Sequence, residues 1–281
     1  MGNLRACFVV AISALAAACG DDGGGAKVAD ASVDSAPDAK IFMDAPPPMF
    51  DFTCATNTTP PATAAANITI GGTVQSVTPS GLAVDIVPVN GAAVQACLAG
   101  AANCNGGNTD GNDTTDATGA FSIGPFATAM APQDDFIEMT ATGQRTTYVY
   151  PASPFVADQG NVPVLTFTNT GPTSGEAALS ALLGCNTTGS IVGLAVTDCA
   201  GAPVTDTANL TVKINGTAVP AGDLIDLGEF QAEAAGTFLV CGVAANAATT
   251  VGATYKTTNF ITHSVKTVAG TTTATLLIPG Y

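Results

Sequence analysis

The chain has 281 residues, with 22 Asp and Glu against 7 Lys and Arg, one His, no Trp, 31 Gly and 17 Pro. A formal net charge of −15 with no basic run argues against a nucleic-acid partner, since phosphate contacts need clustered Lys and Arg. A single histidine removes most metal-centre and triad chemistry, and 47% apolar residues with 10% charged suit a folded chain rather than a disordered one.

Residues 1–18 read as a signal peptide. Arg5 precedes an almost wholly apolar run from Ala6 to Ala18, the length of a signal core and too short to span a bilayer. Ala16, Ala17 and Ala18 lead into Cys19, and this resembles the lipobox at which bacterial lipoprotein precursors are cut and lipidated, although Leu15 stands four residues before the cysteine instead of three. Ordinary secretion with cleavage near the same alanines is the alternative. Gly20, not Asp, follows the cysteine, so the inner-membrane retention signal is absent and the outer membrane is the expected address.

Residues 19–53 then form a lipidated cysteine and a disordered tether. Gly23-Gly24-Gly25, the spaced acids Asp30, Asp34, Asp38 and Asp44, and Pro46-Pro47-Pro48 leave little to pack. Self-repulsion extends such a segment, to roughly 30 Å as a coil or about 100 Å in polyproline geometry.

From Asn67 the pattern turns to β structure. Ile68, Ile70, Gly72 and Val74 alternate with Thr69, Gly71, Thr73 and Gln75, a period of two that puts one face on a core. Leu210, Val212 and Ile214 do the same ahead of Asn215-Gly216, a strong hairpin-turn signal. Further strands are predicted in 143–150, 162–168, 238–243, 259–266 and 272–278. One helix is predicted, with Thr173 and Glu176 as a capping box, a stripe of Ala178, Leu179, Leu182 and Leu183, and Gly184 at its end.

The two halves repeat. Gly91-Ala92-Ala93-Val94 corresponds to Gly201-Ala202-Pro203-Val204, and Asp116-Ala117-Thr118-Gly119-Ala120-Phe121 to Glu233-Ala234-Ala235-Gly236-Thr237-Phe238. In the second motif the glycine takes a positive φ before an inward aromatic. Two copies predict an all-β chain of two tandem sandwiches, residues 54–170 and 186–281, joined by a linker helix in 171–185.

These motifs resemble carboxypeptidase regulatory-like domains, whose fold is a prealbumin-like, Greek-key β-sandwich. The layout of lipobox, Asp-Ala tether, Phe52-Thr53-Cys54, first domain, Leu182-Leu183-Gly184 helix and Asp198-Cys199 is similar to that of myxobacterial-type surface lipoproteins. The resemblance implies a non-catalytic module at the cell envelope, anchored to the membrane by lipid, with envelope proteins or glycans as partners, no cofactor and no enzyme site. Fold by itself does not assign function.

Six cysteines remain after Cys7 and Cys19, namely Cys54, Cys97, Cys104, Cys185, Cys199 and Cys241, an even set that suits three disulfides in an exported protein. Fifteen connectivities are open; loop proximity favours Cys97–Cys104, the repeat suggests Cys199–Cys241, and Cys54–Cys185 is the remainder. A zinc site is disfavoured by the lack of a C-x-x-C pair.

Other candidates are weaker. The loop from Asn103 to Asp116 carries Asn105, Asn108, Asp110, Asn112, Asp113 and Asp116, oxygen ligands of the kind Ca²⁺ uses, with Asp110, Asn112, Asp113 and Asp116 as the candidate set. The EF-hand register fails, because Thr115 stands where Gly is needed and Phe121 where Glu is needed, so a polar hairpin insertion is the competing reading. His263 shares a strand face with Ile261 and Val265 and reads as a packed residue. Asp134-Asp135 are chain neighbours facing opposite ways, which does not suit a glycosidase pair. Tyr148, Tyr150 and Phe155 are candidates for a sugar-stacking platform, or for ordinary core aromatics.

Overall fold

Alternation becomes burial where it was strongest: Ile68, Ile70 and Val74 are fully buried on β1 (Asn67–Ser80). The computed structural model describes residues 49–80, 83–99, 101, 104, 107–229 and 234–281; the signal segment, Cys19 and nearly all of the tether lie outside the described residues, as do Asn103, Asn105 and Glu233. The strands that follow are β2 (Ala83–Pro88), β3 (Ala93–Cys97), β4 (Thr109–Thr114), β5 (Ala120–Ala127), β6 (Phe136–Thr140), β7 (Thr147–Tyr150) and β8 (Gln159–Phe167). After α1 (Gly175–Leu183) come β9 (Ser190–Val196), β10 (Leu210–Ile214), β11 (Thr217–Ala218), β12 (Leu224–Asp226), β13 (Thr237–Val243), β14 (Asn246–Tyr255), β15 (Thr258–Asn259), β16 (His263–Thr267) and β17 (Thr272–Leu277). The chain is all-β, with sheets packed as sandwiches and one short helix.

Pairing reproduces itself across the two halves. β1 pairs antiparallel with β5 and parallel with β8, as β9 does with β13 and β17. β3 pairs with β4 and β6, and β6 with β7, as β10 does with β11 and β14, and β14 with β16. The same hydrogen bonds recur: Val74 N–H to Gly119 O (2.8 Å) and Val89 N–H to Val74 O (3.0 Å) match Val196 N–H to Gly236 O (2.9 Å) and Val204 N–H to Val196 O (2.8 Å). This lattice aligns Gly119 with Gly236, as the motif predicts, with both at positive φ and Phe121 and Phe238 buried behind them. The first motif shifts register. Gln75 pairs with Pro88 as Thr197 bridges Pro203, so Val204 corresponds to Val89 and not to Val94. The β1–β2 hairpin arm is longer in the first half and displaces the Gly91 turn.

The two halves share a sheet. The eight-stranded order β12-β13-β9-β17-β7-β6-β3-β4 is continuous because β17 lies parallel to both β9 and β7, with Thr272 to Thr275 paired to Thr147 to Tyr150. Strict alternation carries one consequence along this wall. On one face Val94, Ala96, Ile137 and Met139 pack against Ile68, Ile70, Phe121 and Ile123, while Ile191 and Leu239 pack under Leu179 of α1. On the other face Val192, Leu194, Phe238 and Leu277 pack against Leu210, Val212, Val251 and Val265. The two sandwiches therefore bury opposite faces of one sheet.

Arg145 bolts the junction. It is wholly buried, its guanidinium bonded to Glu176 and to the carbonyls of Thr187 (2.9 Å), Gly189 (2.7 Å) and Thr271 (3.0 Å). That recruitment explains a correction to the helix. Ser174, not Thr173, is its N-cap, accepting from Ala177 N–H at 3.2 Å, because the Glu176 carboxylate is turned to Arg145 instead of closing a capping box. Gly184 ends the helix at φ 65° as predicted.

Candidate functional site

β4 brings one acid to another from a distant segment. Asp135 directly precedes β6, and the Gln133–Phe155 bridge holds that segment against the first core. Its side chain is 3% exposed and its Oδ2 has no hydrogen-bond partner. Its carboxyl lies against that of Asp110 on β4 and takes the Ala99 N–H. Burial, followed by the Asp110 contact, raises its pKa from 3.8 to about 8, with a smaller push from Asp134. A carboxyl of this kind either keeps a proton or takes a cation near neutrality.

The other predicted calcium ligands are engaged elsewhere. Asp113 uses Oδ2 to accept Ser122 N–H at 2.6 Å, clasping β5 across the sandwich edge, and Oδ1 to accept Thr114 N–H. Asp116 is the turn residue that accepts from the Thr118 hydroxyl and from the Ala120 and Thr118 N–H groups, and those bonds hold its pKa below the usual range. Asn112 is exposed on the edge strand. Asp110, Asp113 and Asp116 thus do not converge on one point, since strand alternation turns Asp113 away from Asp110 and the turn removes Asp116.

Nor do the aromatic candidates form a platform. Phe155 lies in the first core, whereas Tyr148 lies on the opposite face of the shared sheet, where Phe136 stacks on Tyr150 at 5.0 Å between ring centroids. Burial raises Tyr148 and Tyr150 to about 12. Asp134 is exposed and Asp135 buried, so the two neighbours point apart as alternation predicts. His263 is half-buried at the start of β16; desolvation lowers its pKa against a weaker opposing pull from Asp134.

All six candidate cysteines are bonded, in the pairs Cys54–Cys199, Cys97–Cys104 and Cys185–Cys241. The Cys97–Cys104 expectation holds; the pairings Cys199–Cys241 and Cys54–Cys185 are corrected. Antiparallel pairing of β9 with β13 sets Cys241 level with the start of β9, while Cys199 follows its end, on the order of 20 Å away at about 3.3 Å per residue. A disulfide needs Cα atoms within about 7 Å, and Cys185, leaving α1, lies 5.3 Å from Cys241. Cys97, Cys104 and Glu138 are the one metal-compatible trio among the described residues, but the two sulfurs are bonded to each other and supply no thiolate.

Sequence reasoning missed the docking of the lead-in chain. Phe50 and Phe52 pack on Tyr255 at 5.4 and 5.2 Å, and Phe52 on Phe260 at 6.0 Å. Asp51 donates its N–H to Asp198 Oδ2 (2.8 Å) and accepts Cys199 N–H (2.8 Å), beside the Cys54–Cys199 bond. The C-terminal end closes over it, with Tyr281 N–H bonded to Asn57 O at 2.9 Å and Asn57 Nδ2 to Tyr281 O at 2.7 Å. Two phenylalanines in an Asp, Ala and Pro stretch were the available signal.

A depression of about 420 Å³ lies between Ser76, Asn90, Thr142 and Gln144, with no ionisable side chain in its wall. No helix among the described residues is long and apolar enough to cross a membrane. No family model matches the chain, and no curated protein matches it. Among solved structures it is similar to the shaft pilin SpaA from Lactobacillus rhamnosus GG, at 13% identity over 78% of this chain and 98% of the pilin, with a TM-score of 0.22. A single-residue mutant of that pilin gives 14% identity, 76% and 98% coverage and a TM-score of 0.24. At TM-scores this far below one half, the likeness says nothing about activity or partner.

Proposed function

We propose that the chain is an exported lipoprotein, anchored through Cys19 to the outer membrane, that presents two carboxypeptidase regulatory-like sandwiches in 54–170 and 186–281 in a non-catalytic, structural or interaction role at the cell envelope. The observation that carries this reading is the welded lead-in. Chain that follows an Asp-, Ala- and Pro-rich stretch is held by three aromatic contacts and a disulfide as soon as it reaches Phe50, which is how a spacer is joined to a rigid load. Three disulfides suit an oxidising compartment outside the cytoplasm. Expression in a Gram-negative host fed labelled palmitate tests the anchor. Label and outer-membrane fractionation are expected for the wild type, and both should be lost in Cys19→Ser, with the protein released into the soluble fraction. A wild-type protein without label would defeat the reading.

The second reading, a calcium-dependent or glycan-binding surface protein, gains support only from the pairing of half-buried Asp110 with buried Asp135. The buried Tyr148 and Phe155 favour no stacked sugar.

A further inference from the structure

We propose that Asp110 and Asp135 form the protein core of a site for a divalent, oxygen-seeking cation of the calcium type. Two carboxyls meet where a single one is already costly to bury. Arg145 is committed to Glu176 and three carbonyls, and Asp134 adds further negative charge. The unpartnered Oδ2 of Asp135 is the independent sign, because a buried carboxylate oxygen without a donor costs free energy that a bound cation removes. The donor set is all oxygen and the nearby sulfurs are oxidised to a disulfide, which selects against zinc and copper. With two carboxylates the affinity belongs to the weak class of extracellular modules, roughly 10⁻⁴ to 10⁻³ M.

This set differs from the four residues singled out in the sequence. It keeps Asp110, adds Asp135 from the segment ahead of β6, and releases Asp113 and Asp116 to their backbone partners. It is independent of lipid anchoring, so its failure leaves that reading intact.

The test is a calcium titration of the full purified chain after chelator treatment, at pH 8.5 and constant ionic strength, read by thermal unfolding and by equilibrium dialysis with labelled Ca²⁺. The wild type should bind one equivalent and gain roughly 3–5 °C at 10 mM Ca²⁺. Asp110→Asn and Asp135→Asn should lose both responses, whereas Asp113→Asn and Asp116→Asn should keep them. Metal-free Asp135→Asn should melt no lower than metal-free wild type, so its lost response cannot be misfolding. Absence of saturable binding in the wild type, a response retained in Asp135→Asn, or an equal response to Na⁺ would overturn the proposal.

Discussion

Asp135 shows how little a residue's own type says about its behaviour. In the unfolded chain it titrates at its ordinary 3.8, and in the folded chain it holds its proton to about 8. Between those values the native state binds more protons than the unfolded one, so without metal stability falls as pH rises from about 4 to about 8 and is level above. Urea unfolding at pH 5 and pH 8 should show this loss in the wild type and a smaller one in Asp135→Asn. The sequence predicted that Asp135 faces away from Asp134, and it does, with Asp134 exposed and Asp135 buried. Its pairing with Asp110 was not legible, because it is set by the pairing of β4 with β3, and the TDGNDT stretch carries no apolar alternation to announce a strand.

At the scale of elements, the legible parts are those with local physics. The alternation of β1, the Asn215-Gly216 hairpin with φ of 51° and 75°, and the paired glycines Gly119 and Gly236 all act within a few residues. Both glycines combine a positive φ with a close approach. A Cβ at Gly119 would lie 2.4 Å from Val74 O, and one at Gly236 would lie 2.7 Å from Pro203 Cβ. Alanine at either should cost about 2 kcal/mol or more, whereas at Gly91 or Gly201, where φ is positive but nothing lies within 4 Å, about 1 kcal/mol is expected in chemical denaturation. The seam between β7 and β17 was hidden, since parallel pairing across more than a hundred residues leaves no mark at either strand. The pairs Cys54–Cys199 and Cys185–Cys241 were hidden for the same reason, as they depend on which end of β9 each cysteine lies near.

For the whole molecule, the shared sheet and Arg145 make the two sandwiches one body. Arg145→Met takes the guanidinium from Glu176 and three carbonyls, of which Gly189 and Thr271 keep the Gly270 and Ile191 N–H donors, and should cost about 3 kcal/mol in unfolding experiments. Glu176→Gln should cost much less, because Glu176 is 22% exposed and three carbonyl partners remain for Arg145. The welded lead-in has a mechanical consequence. Cys54 and Cys199 are 145 positions apart in the chain and 5.7 Å apart in space, so tension applied at residue 49 and resisted beyond residue 199 passes through one covalent bond and leaves the first sandwich unstrained. Roughly 500 Å of contour length is locked behind that bond, at about 3.4 Å per residue. Under oxidising conditions the stretch from Cys54 to Cys199 cannot lengthen under load; once reduced and pulled, it becomes a long shock absorber.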